Sequence, residues 1–213
     1  MPAGGVLDPG ARQALVEVLR SAQGEGLVGP GPVDAHVTHG LGFAEAVGDP
    51  GRVALDLGSG AGVPGLVLAL ARPSAEWILL DGRRRSATFL RTAIHRLGLG
   101  SRVRVIEARA EVAARTELRG AIDVVVARGL GPPAATAECA AGFLAVGGRL
   151  VVSEPPGHGG ARWDATGLRR LEMGKPAEVS TSQGLHFAII SQEAPCPSRF
   201  PRRTGLPAKR PLF

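Results

Sequence analysis

Val53-Ala54-Leu55-Asp56-Leu57-Gly58-Ser59-Gly60-Ala61-Gly62-Val63-Pro64-Gly65 is the stretch that decides how this chain folds. Val53 to Leu57 is a short apolar run, the pattern of a buried strand, broken by a single acid at Asp56. Glycines follow at 58, 60, 62 and 65, and Leu66 to Ala71 then continues without a polar side chain. A strand, a glycine-rich turn and a helix in direct succession let the backbone approach a ligand, whose polar atoms meet free amides. Pro64 falls where the first helical turn needs no amide donor.

Outward from this loop the same alternation repeats. A helix over Val63–Arg72 is stopped by Pro73, and Glu76–Leu80 reads as a second strand ending in Asp81. Ser86–Leu97 is amphipathic, with Ala87, Leu90, Ala93, Ile94 and Leu97 on one face and Gly98 as its stop. Strands are expected at Arg102–Glu107, Ile122–Ala127 and Arg149–Ser153, with an Ala-rich helix from about Ala134 to Leu144 between the last two. Short strands near Leu171 and over Phe187–Ser191 would complete the sheet. This spacing predicts an α/β fold, a mostly parallel, doubly wound, Rossmann-like sheet with helices on both faces.

Before the loop, Asp8-Pro9 opens a helix to about Arg20. Gly24–Pro32 is a connector, and Asp34 is expected to cap a second helix. Three segments result: an N-terminal helical cap over 1–50, a cofactor-binding domain over 51–193 and a basic, Pro-rich tail over 194–213. The net charge of +6 belongs almost entirely to that tail, which carries Arg199, Arg202, Arg203, Lys209 and Arg210 and no acid; without it, 20 bases face 19 acids. An acid-free basic arm points to phosphate or another polyanion, or else serves as a solubilising terminus. Five prolines, from Pro195 to Pro211, rule out a continuous helix there. Two distant cysteines suggest no disulfide framework, and no signal peptide or membrane span is evident, so a cytoplasmic location is expected.

Two cofactor classes use a glycine loop of this kind. Gly60-Ala61-Gly62-Val63-Pro64-Gly65 fits the dinucleotide fingerprint, with Asp81 as the ribose acid. The acid-x-Gly-x-Gly-x-Gly loop of class I methyltransferases explains more residues, because it also uses Asp56. A carboxylate there can orient the loop and reach the ammonium group of S-adenosylmethionine, whereas it would repel a pyrophosphate. Asp81 then suits the vicinal ribose hydroxyls. The expected fold is therefore a class I methyltransferase and the expected cofactor S-adenosylmethionine, with Asp56, Gly58, Ser59, Gly60, Val63 and Asp81 around it.

The arrangement around the loop resembles the glucose-inhibited division protein B family (RsmG), the bacterial 16S rRNA guanine-N7 methyltransferases. Gly58-Ser59-Gly60-Ala61-Gly62-Val63-Pro64-Gly65 is similar to that family's GTGPGLPG loop. Asp81, Arg85, Phe89-Leu90-Arg91 and His95 fall in register with its second strand and next helix. Arg109-Ala110-Glu111 resembles its R-V-E turn, and Arg128 sits on its S-R-A segment. Phe200 to Leu212 is similar to the ending Y-P-R-R-x-G-x-P-x-K-x-P-L. The resemblance implies a cofactor site of Gly58, Val63, Ala110, Glu111 and Arg128, and 16S rRNA or a small-subunit precursor as partner of a monomeric enzyme. Departures lie on the substrate side: His39 stands where the family has an aspartate, no N-L-T segment is present, and Ser153-Glu154-Pro155-Pro156-Gly157 replaces a segment with a lysine before its glycine.

Guanine N7 carries a lone pair and no proton, so methylating it needs alignment and no general base. In agreement, Ala127-Arg128-Gly129 takes the place of the N/D-P-P-Y/F/W stretch used on exocyclic amines. Candidates for catalysis are Arg128, His36 and His39; Arg128 reads alternatively as a surface salt bridge, and the histidines as cover for the helix surface. No metal centre is expected from His36 and His39 alone. Arg83-Arg84-Arg85 is either a phosphate patch or a solvated helix start, His95 a satisfied, partly buried side chain, Cys139 core, and Trp77 and Trp163 packing. Arg202, Arg203, Lys209 and Arg210 are the expected RNA contacts, separate from the cofactor site. Other readings are a class I methyltransferase of another RNA or small molecule, and a non-catalytic RNA-binding module with a relic pocket.

Overall fold

Asp8 accepts hydrogen bonds from the amides of Gly10 and Ala11 at 3.0 Å each, and with Pro9 behind it opens α1, Pro9–Gly24. This computed structural model describes residues 7–157 and 162–213. Helix α2, Val33–Val47, starts one residue before the expected cap; Asp34 lies inside its first turn and pairs with Arg12 at 2.5 Å. Pro32 takes the cap position, where its extended backbone suffices without a side-chain bond.

The sheet follows as β1 (Val53–Leu57), β2 (Glu76–Asp81), β3 (Val103–Glu107), β4 (Ile122–Ala127), β5 (Leu144–Glu154), β6 (Ala177–Ser180) and β7 (His186–Ser191). Spatial order is β3-β2-β1-β4-β5-β7-β6; β1 to β5 run parallel and β7 lies antiparallel to both neighbours. The mostly parallel, doubly wound expectation is met. Two details differ. Leu171 lies in a turn and the extra strand is β6, because only there does the chain reach the edge of β7. Strand β5 begins at Leu144, five residues early, since its first residue pairs with Ile122 across a register shift.

Each face carries its own core. One packs α1, α2, α3 (Gly65–Ala71) and α4 (Arg84–Arg96) on Ala54, Trp77, Leu79, Val124, Val126 and Val151. The other packs α5 (Ala110–Ala113), α6 (Pro133–Ala141) and α7 (Ala165–Arg169) on Leu55, Leu57, Ile78, Leu80, Val125 and Leu150. The alternation along β1 and β2 is the period-2 pattern of a strand buried on both sides. Trp163 is buried as core, while His95 is exposed, contrary to expectation, because its position on α4 faces away from the sheet. No helix among the described residues is long and apolar enough to cross a membrane.

The tail lies against the second face. Phe200 is 2% exposed within that core. Arg119 donates to the carbonyls of Cys196, Pro197 and Phe200 at 2.8–3.1 Å. Arg202 binds the fully buried Glu138 of α6 through Nε and Nη2, at 2.9 and 2.7 Å, and through its own amide at 2.7 Å. One helical turn follows, α8, Leu206–Lys209, between prolines. Removing one partner of a buried ion pair strands the other charge in a low dielectric. Arg202→Ala should therefore destabilise the fold by about 3 kcal/mol. Urea denaturation checks this; a loss no larger than that of Arg203→Ala would show the pair to be dispensable.

Candidate functional site

The loop after β1 is held by two carboxylates. Asp56 is 1% exposed, and its Oδ2 accepts the Gly65 amide at 2.9 Å, which fixes the start of α3. Asp81 accepts the Gly60 amide at 2.8 Å on Oδ2 and the Arg83 amide at 2.8 Å on Oδ1. Ser59 returns its hydroxyl to the Asp56 carbonyl at 2.9 Å. Gly58 has φ +77°, a backbone conformation strained for other residues, and a Cβ there would have to push aside Leu130 Cδ1, 2.5 Å away.

Over the carboxyl ends of these strands lies a cavity of ≈ 380 Å³, within the range of small-molecule sites. Its walls are Leu57 and Gly58 after β1, Leu80 to Arg83 after β2, Ala108 to Glu111 after β3 and Gly129 to Pro132 after β4. Ala135 and Cys139 of α6 and Pro207 and Ala208 of α8 close it. A carboxylate for a vicinal diol at Asp81, a second at Glu111 and an apolar flank of Leu130, Pro132, Ala135 and Pro207 fit a nucleoside-bearing cofactor. Of the expected residues, Gly58, Asp81, Ala110 and Glu111 line this cavity, whereas Asp56, Ser59, Gly60, Val63 and Arg128 do not. Leu130, Cys139, Pro207 and Ala208 were not among the expected residues; of these only the tail match gave a signal, and it suggested RNA. The tail thus departs from the expected separation, with Arg203, Lys209 and Arg210 exposed and Arg202 engaged by Glu138. Burial pushes the Cys139 thiol up to about 12, as suits a wall residue that stays neutral.

A second cavity, ≈ 310 Å³, shares Gly129, Leu130 and Gly131 with the first and adds His39, Thr136, Glu154, Arg162 and Trp163. The catalytic candidates converge beside it. Arg128 Nη2 lies 3.0 Å from His36 Nδ1, whose Nε2 faces the Gly29 carbonyl at 3.3 Å. Arg128 is half-buried and has no carboxylate partner among the described residues, so it is not a surface salt bridge. Burial, with Arg128 and His36 adding positive charge, lowers His39 to about 4 and leaves it neutral near pH 7. His39 packs against Phe43 and Phe187, with ring centroids 5.5 and 6.0 Å away, and its Nδ1 has no hydrogen-bond partner among the described residues. Glu154 is satisfied internally by Arg162 at 3.0 Å and Trp163 at 3.2 Å. Of the arginine run, Arg83 turns to Asp81, while Arg84 and Arg85 line a groove between α1 and α4.

Comparison with known proteins agrees with this geometry. Residues 32–154 match the family described as GidB, rRNA small subunit methyltransferase G. The ribosomal RNA small subunit methyltransferase G of Moorella thermoacetica is 35% identical over 76% of this chain and 70% of its own. That of Syntrophomonas wolfei is 30% identical over 86% and 87%. Among solved structures, the O-methyltransferase from Bacillus cereus in complex with SAH superposes with a TM-score of 0.59 over 85% of this chain and 91% of that one, at 16% identity, a likeness of fold.

The state of Asp56 sets a pH test. Desolvation raises its carboxyl from 3.8 to about 7, against the lowering effect of the Gly65 amide. Between those values the unfolded chain gives up a proton that the folded chain keeps. Rising pH therefore costs stability across that window and nothing further above it. Asp56→Asn keeps an acceptor for the Gly65 amide and does not ionise. Its melting temperature relative to wild type should rise from about pH 5 to about pH 8. A flat difference over that range would mean an ordinary, ionised carboxylate.

Proposed function

The chain belongs to the rRNA small subunit methyltransferase G family, and from that premise we propose that it transfers a methyl group from S-adenosylmethionine to N7 of a guanine in 16S rRNA. One observation carries the reading. The matched segment, 32–154, contains β1 to β5, whose carboxyl ends wall both cavities, and the whole His36, His39 and Arg128 cluster. The cofactor, when bound, supplies an electrophilic methyl on a sulfonium.

The protein's own part is binding and alignment. Asp81 is placed to accept hydrogen bonds from the ribose diol, and Gly58 lets the backbone come close. Asp56 holds the loop in shape through its bond to the Gly65 amide. The two cavities meet at Gly129–Gly131, so a base in the second can face a methyl group in the first. No side chain need remove a proton from N7. That lone pair is free near pH 7 in any case; His39, neutral there, adds no charge beside it, and Arg128, next in sequence to the shared Gly129, supplies a fixed cation behind the junction.

RNA with 7-deazaguanine at the target should accept no methyl group, because the nucleophilic lone pair is gone; continued labelling would exclude N7. For RNA binding, Arg203, Lys209 and Arg210 are the exposed cations at the end of the tail, and Arg202 is left out of the variant because it serves Glu138. Changing those three to Ala should weaken RNA binding and flatten its log–log salt slope by up to about 2, at roughly 0.7 for each phosphate no longer neutralised. Titrations at several salt concentrations check this; an unchanged slope would make the tail's charge a solubilising feature.

A further inference from the structure

The last residues of the chain reach the cofactor cavity. Pro207 and Ala208, on the single turn of α8, form part of its wall beside Ala135 and Cys139 of α6. Three anchors hold that turn in place. The guanidinium of Arg202 is locked on fully buried Glu138. Arg119 gathers the carbonyls of the preceding segment. The Gly205 amide donates to Glu111 Oε1 at 2.7 Å, and Glu111 is itself a wall residue, 5% exposed. Gly205 makes that bond from φ +79°, a backbone conformation open to glycine and strained for other residues.

We propose that Gly205, Pro207 and Ala208 belong to the cofactor site, with Pro207 and Ala208 walling the purine end and the Gly205 amide fixing the Glu111 carboxylate. Asp81 marks the ribose, and the surfaces beyond it toward α6 and α8 are apolar: Pro132, Ala135, Cys139 and Pro207. A flat heteroaromatic ring fits such a flank, since it gains by leaving water and needs few polar partners. Glu111 Oε1 already receives the Gly205 amide and lies 3.7 Å from Arg109, so its carboxylate is oriented before any ligand arrives. The tail therefore has two faces. One closes the purine pocket, and the other presents Arg203, Lys209 and Arg210 to solvent.

This inference rests on the reading of the cavity as the S-adenosylmethionine site, and the experiment keeps the two apart. S-adenosylhomocysteine is titrated calorimetrically into the wild-type chain and into Gly58→Arg, Ala208→Trp and Thr204→Trp. Ala208 is exposed at the cavity edge, so a larger side chain there can fill the pocket without disturbing either core. Ala208→Trp should bind at least roughly tenfold more weakly, with its melting temperature and RNA salt slope at wild-type values. Thr204→Trp, with the same bulk on an exposed tail residue outside the cavity lining, should bind as wild type does, and in turnover Ala208→Trp should raise KM for the cofactor more than it lowers kcat. Undiminished binding in Ala208→Trp while Gly58→Arg loses it would overturn the inference alone. Undiminished binding in both would overturn the site, and the inference with it.

Discussion

A carboxylate out of reach of water, Asp56, takes the amide of Gly65 across the glycine turn, and the first cavity is built on that turn. Strand β1 lies at the middle of the sheet, between β2 and β4, where strand order reverses direction. Ligands of open α/β sheets bind outside the carboxyl ends at such a point. The turn must leave β1, avoid the ligand and enter α3 within a few residues, which forces glycine at Gly58 and close packing of Gly65 on Asp56 and Leu79. A Cβ on Gly65 would stand 2.4 Å from both Asp56 Oδ2 and Leu79 Cδ2. Desolvation works against the carboxylate's charge, and the chain retains the group at the cost of stability at neutral pH.

Legibility in the sequence followed the range of the interactions involved. Strands β1 to β4 and helix α4 were readable because burial on two faces or one leaves a local period. Asp56 and Asp81 were readable as acids at strand ends, whereas Glu111 was reached only through the resemblance of Arg109-Ala110-Glu111 to a family turn. The N-terminal residues of β5 were not, since Gly147 and Gly148 look like a turn and extend only because Ile122 and Gln192 offer partners. Strand β6 was missed for the same reason, being polar and mostly exposed and formed against β7 alone. Leu130 entered the site through its approach to Gly58, 72 positions away in sequence, which no local pattern records.

The tail shows why counting charge misleads at the level of single residues. Arg202 and Arg203 are adjacent and identical in type, yet one is bound on three atoms to a buried carboxylate while the other faces solvent. What distinguishes them is Glu138, which sits in an Ala-rich helix and gives no sign in sequence that it is buried. An isolated charge at 0% exposure would be prohibitively unfavourable, so the sequence of α6 makes sense only with the tail in place. The arm's five cations therefore overstate what it can offer to a polyanion by the one held on Glu138.

Across the junction at Gly129–Gly131 the substrate side follows a different logic from the cofactor side. There the lining carboxylate, Glu154, is satisfied within the fold, and beside it stand neutral His39 and the Arg128–His36 pair. His39 stands where the family resemblance implies an acid, but burial against Phe43 and Phe187 with Arg128 and His36 nearby removes its ability to carry a proton near neutrality. The exchange thus removes a negative charge without adding a positive one. For a nucleophile that gives a lone pair and loses no proton, the loss of a potential base at this position costs nothing in the chemical step. What changes is the local potential: without an acid at that position, the neighbours of Arg128 are His36, at 3.0 Å, and the buried Asp56 behind the glycine turn.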